Sequence, residues 1–100
     1  MSRDAPAEVT LRLEMACTEA DFHRLLPAVA EVQYDAVLNR FSHLEKGRRW
    51  SLRLNEPHER RIGALRLPVV DVTFLFEGYA QNEIDAIMER FLTHFRRGGG

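Results

Sequence analysis

The sequence predicts a two-layer α+β domain, an antiparallel sheet of four or five strands with two helices on one face, in the order β-α-β-β-β-β-α. Three observations predict it. Val9 to Cys17 and Val70 to Glu77 alternate apolar and polar residues with a period of two. The last long segment repeats apolar residues at helical spacing. Each good element has one apolar face, and a sheet covered by helices on one side buries all of these faces together.

Residues 1–7 are polar, contain Pro6 and read as a disordered lead. In the first strand Val9, Leu11, Leu13, Met15 and Cys17 share a face, with Thr10, Arg12, Glu14 and Ala16 opposite. Cys17 therefore reads as a small buried hydrophobe. Thr18-Glu19-Ala20-Asp21 has capping-box spacing and opens a helix that buries Phe22, Leu25, Leu26 and Val29. Pro27 removes a backbone bond inside it, so a kink or restart near Leu26 is expected. Residues 34–46 fit two patterns. Tyr34, Val37, Leu38, Phe41 and Leu44 have helical spacing, but Glu45-Lys46-Gly47 suits a hairpin loop, and an alternating segment follows at once. Strand is the preferred reading.

Trp50, Leu52 and Leu54 alternate with Arg49, Ser51 and Arg53 in the next strand. Residues 55–59 form a turn by composition. Arg61 to Leu67 reads as a further strand, and Pro68 marks a bend or an edge. The strand Val70 to Glu77 leads through Gly78-Tyr79-Ala80 into the last helix. Its stripe is Ile84, Ile87, Met88, Phe91, Leu92 and Phe95. Glu83 and Asp85 near its start and Arg96 and Arg97 near its end complement the helix dipole. Residues 8–97 make one domain, and residues 98–100 a flexible glycine tail.

The chain is 45% apolar and 29% charged, with a formal net charge of −1. No apolar run reaches the roughly 20 residues of a membrane-spanning helix. The opening residues lack the apolar stretch of a signal peptide, and a lone cysteine makes no internal disulfide, so a cytoplasmic location is expected. Motifs for a zinc protease, a nucleophile elbow, a P-loop or a dinucleotide fold are absent. His23, His43, His58 and His94 do not fall at ligand spacing. No metal or cofactor is expected, and the reading tips away from an enzyme, for which His43, His58 and Asp71 are the nominees.

Charge is segregated, with a net of −4 over residues 1–35, +5 over 36–66 and −2 over 67–100. Arg48, Arg49, Arg53, Arg60 and Arg61 are a candidate patch for an anion or an acidic partner. The Arg-rich segment 40–66 is the candidate for nucleic acid, although the strand aromatics fall on the apolar parity, away from the face where bases would stack. Ile62, Ala64, Val69 and Leu75 fall on the side assigned to solvent and are candidate interface residues, unless a bend at Pro68 switches their parity. Trp50, Phe74, Phe91 and Phe95 are the candidate lining of a pocket between sheet and C-terminal helix. The expected function is a small protein-interaction domain that self-associates as a homodimer. Small-ligand binding and nucleic-acid binding are the alternatives.

Overall fold

The computed structural model describes residues 8–98; the lead expected at 1–7 and the last two residues of the expected tail lie outside the described residues. The chain runs β1 (Glu8–Met15), α1 (Glu19–Val29), β2 (Gln33–Asp35), β3 (Arg40–Glu45), β4 (Arg48–Leu54), β5 (His58–Ile62), β6 (Leu65–Glu77) and α2 (Gln81–Gly98). The strands are antiparallel, in the order β1-β6-β4-β3-β2, and β5 pairs β6 beyond that path. This is the predicted α+β architecture and element order, with six strands where four or five were expected.

The extra strand comes from residues 34–46, which hold two strands and a turn. Asp35 Oδ1 accepts from the backbone N–H of Val37 (2.9 Å) and Leu38 (3.2 Å), and Asn39 adopts φ 53° to close the turn. That local bonding competes with a helix. Between β3 and β4 Lys46 and Gly47 both have positive φ, 48° and 77°, as the twist of a two-residue hairpin favours.

α1 opens on the expected capping box. Thr18 Oγ1 accepts from Asp21 N–H at 3.2 Å, and Asp21 Oδ2 accepts from Thr18 N–H at 3.0 Å. These bonds, the Thr18 amide foremost and then Arg24, hold the Asp21 carboxyl below its ordinary range. The helix is continuous through Pro27 and stops two residues later, where Ala30 N–H reaches Leu26 O at 3.1 Å. A proline in the last turn forgoes one bond without forcing a restart.

Both helices lie on one face of the sheet. Phe22, Leu26 and Val29 of α1 and Ile84, Phe91 and Phe95 of α2 join Trp50, Leu52, Val72, Phe74 and Phe76 in one core. Leu92, on the expected stripe of α2, is exposed instead. Cys17 is buried, and burial, helped by nearby Asp21, pushes its thiol up to about 11.

The main departure lies at residues 55–69. The expected turn at 55–59 is only a break between β4 and β5, which run the same way, and the hairpin tip sits inside the expected strand 61–67. Gly63, at φ 62°, supplies the positive φ that a two-residue turn needs at its first position. Ile62 and Leu65 therefore become cross-strand partners. β1 covers β6 only from Val70 to Glu77, and β4 only from Val72 to Glu77. The first five residues of β6 pair with β5 alone. The result is a two-stranded arm about 17 Å long at ~3.4 Å per residue.

Candidate functional site

The arm joins the body at an ion-pair cluster. Glu14 on β1 stands directly opposite Asp71 on β6, a like-charged pair that costs stability unless cations attend it. Arg60 on β5 contacts Glu14, and His58 Nε2 lies 3.6 Å from Asp71 Oδ2. Glu14, His58 and Asp71 each place one donor atom within 4.8 Å of the others, the set that could approach a divalent ion. All three are exposed and already paired within the chain, which accounts for their placement. Of the enzyme nominees, His58 and Asp71 meet here. His43 lies elsewhere, 2.7 Å from Glu31 O and beside Trp50.

Beyond this root the arm is bare. Every residue of β5 is exposed. β6 carries no extra residue in its registers, so Leu65, Leu67 and Val69 continue the face of Asp71 and Thr73, away from the helices. Ile62 and Leu65 at the tip are each 57% exposed. Of the other candidate interface residues, Ala64 sits exposed in the turn and Leu75 is half-buried in the middle of the open face. Val69 corrects the expectation: opposite His58 at the arm's root it is 2% exposed.

The candidate basic patch is divided. Arg48 leaves it for the far end of the molecule, where it bonds Glu83 at 2.6 Å, approaches Glu45 at 3.5 Å and lies 4.4 Å over the Tyr79 ring. The Glu83 bond holds the guanidinium protonated still more firmly. Glu83 is lowered in turn, by the Ala80 backbone N–H first and Arg48 second. Tyr79 is pushed up to about 12 by burial and by its bond to Glu45. Arg49 pairs with Glu77 at 3.0 Å and Arg60 with Glu14. Arg61 is on the arm and Arg53 on the open face, so the five arginines do not form one site.

The candidate pocket is filled by its own lining. Phe91 meets Phe74 edge to face at 5.0 Å and Phe95 at 4.3 Å, and Phe22 closes on both from α1. Trp50, Phe74 and Phe91 are core, as a small domain's close packing demands. Only Phe95 reaches a surface depression, with Met15, Ala16, Cys17, Leu92 and Arg96.

The other side of the sheet is open, and cross-strand register arranges it in rows. One row runs Thr10, Leu75, Ser51, Ser42, Gln33 and is uncharged. The next runs Arg12, Thr73, Arg53, Arg40, Asp35. Sequence reasoning saw Arg12 and Arg53 on this face but missed Arg40, because the register of β3 follows from a turn whose position the pattern left open. Among the described residues no helix is long and apolar enough to cross a membrane. Compared with known proteins, the chain matches no family model, no curated protein and no solved structure.

Proposed function

We propose that the protein is an interaction domain that forms a homodimer through its β5–β6 arm. One observation carries the reading: a two-stranded ribbon with exposed Ile62 and Leu65 extends beyond the other strands, with no third strand beside it among the described residues. Such a hairpin is marginal alone in water, and three or more strands with an apolar face are needed for independent stability.

A second copy of the chain fits the free edge. The pair closing a two-residue hairpin is hydrogen-bonded, so Ile62–Leu65 and Arg60–Leu67 are the bonded pairs. Pro68 then turns its missing N–H outward and blunts the β6 edge. On β5 it is Glu59 and Arg61 that turn their backbone groups outward. Pairing β5 with its symmetry copy about Arg60 sets Glu59 opposite Arg61 of the second copy, twice over, with bonding groups in register. A two-fold interface is self-complementary in this way. Four strands would then share the apolar face of Ile62, Leu65 and Leu67.

The test is molar mass by light scattering across a concentration series. Wild type should approach twice the chain mass. Arg61→Glu should shift the equilibrium to monomer by setting Glu59 against a carboxylate, and Glu59→Arg combined with Arg61→Glu should restore the dimer. A wild type that stays monomeric up to millimolar concentration, or a double variant that fails to recover while remaining folded, would overturn the proposal.

A further inference from the structure

The open face of the sheet carries a second feature, which the arm does not use. Arg12 on β1, Thr73 on β6, Arg53 on β4 and Arg40 on β3 are successive register partners. At ~4.8 Å per strand the three guanidinium stems are spread over about 14 Å. Arg48, Arg49 and Arg60 each have a carboxylate. The side chains of Arg12, Arg40 and Arg53 have no ion pair and no hydrogen bond among the described residues.

We propose that this row binds the phosphate backbone of single-stranded nucleic acid. Four points of chemistry support it. Arg40 and Arg53 stand directly opposite one another, a like-charge pairing that destabilises a sheet and that a bound anion would relieve. Arg40 Nε is buried and has no partner, although buried donors are almost always bonded. Thr73 Oγ1 accepts from Asn55 Nδ2 at 3.2 Å, which leaves its own hydroxyl proton for an acceptor between Arg12 and Arg53. Guanidinium forks match phosphate oxygens with two parallel bonds.

The neighbouring groups permit an anion here. Asp35, at the β2 end of the row, is occupied by the amides of Val37 and Leu38. Glu14 and Asp71 lie one row away, attended by Arg60 and His58. The row on the other side is uncharged. A straight line of cations across four strands suits a chain of repeated anions better than one compact ligand. The core aromatics of β3, β4 and β6 point to the helix side, so no base stacks on the row, and the site reads backbone and not sequence.

The experiment is fluorescence anisotropy of labelled oligothymidylate and oligouridylate with the full chain over a range of salt. Three phosphate contacts on a single strand predict a log–log salt slope of about −2. Both probes should bind alike. Arg12→Ala and Arg53→Ala should each weaken binding about tenfold at low salt, and together abolish it, with circular dichroism unchanged. Arg61→Ala and Ile62→Glu, on the arm, should leave it intact, which separates this proposal from the dimer. Absence of saturable binding at low salt overturns it, as does binding that survives loss of Arg12 and Arg53. Tighter binding of inorganic pyrophosphate or of an oligoglutamate than of the oligonucleotides also overturns it, and reassigns the row to a compact phosphate or to an acidic peptide.

Discussion

Truncating Phe91 tests how the two layers are joined. Its ring is 1% exposed and lies between Phe74 of the sheet, Phe22 of α1 and Phe95 of α2, with ring centres 5.0, 6.3 and 4.3 Å away. Phe91→Ala removes the ring from every one of these contacts. Burial and the residual cavity together put the loss at about 3–5 kcal/mol. A domain of this size has about 5–15 kcal/mol in all. At ~4–8 °C per kcal/mol, the midpoint of thermal unfolding should fall by at least about 12 °C. Urea unfolding followed by Trp50, the only tryptophan and itself buried, gives the free energy directly. The adjacent Leu92, 39% exposed on the same helix, is the control, and its truncation should cost within about 0.5 kcal/mol. A loss below about 1 kcal/mol for Phe91→Ala would refute the reasoning. It would mean that the rings border a space rather than fill one, and the ligand-pocket reading would return.

Further outcomes follow from the two lowered carboxylates, the capping box and the lone thiol. Asp21 and Glu83 have lowered pKa values in the folded chain, so their stabilisation is complete above the ordinary carboxylate range and is lost as pH falls through the folded values. Urea midpoints should therefore hold from neutrality to about pH 5 and decline below about pH 4. Asp21→Asn should flatten that decline, and Thr18→Ala should cost about 1 kcal/mol at neutral pH. Cys17, buried and with its thiol pushed up to about 11, should react with a disulfide reagent at pH 8 only through opening of the fold. Prompt labelling of the native chain would contradict its placement.

The elements legible in the sequence are those whose periodicity is tied to the core. Val70, Val72, Phe74 and Phe76 alternate because α1 and α2 cover one face, and the same burial spaces Ile84, Phe91 and Phe95 along α2. The arm is different. Apart from buried Val69 at the root and half-buried Leu67, its residues face water, so burial imposes little alternation on the sequence. Asn55 to Glu59 carries the turn composition, whereas the actual turn at Gly63-Ala64 is marked in the sequence by a single glycine. Once the tip is placed at Gly63, Ile62 and Leu65 fall on the same side, which a single strand through residues 61–67 forbids.

The candidate sites were obscured for a related reason. A run of arginines in the sequence shows charge but not pairing. Arg48, Arg49 and Arg60, from the densest part of the chain, are the ones neutralised, by Glu83, Glu77 and Glu14 across 35, 28 and 46 residues of sequence. Arg12, Arg53 and Arg40, from three different strands, become neighbours only through register. Local charge density is thus a poor guide to the free charge on a sheet, because partners distant in sequence, on helix α2 as well as on strands, decide which cations are spent within the fold. In this chain Arg48, Arg49 and Arg60 are paired, while Arg40 and Arg53 of the same Arg-rich segment align with Arg12 of β1 and have no ion pair among the described residues. Strand register, and not spacing along the sequence, is therefore what brings Arg12, Arg40 and Arg53 into one row on the open face.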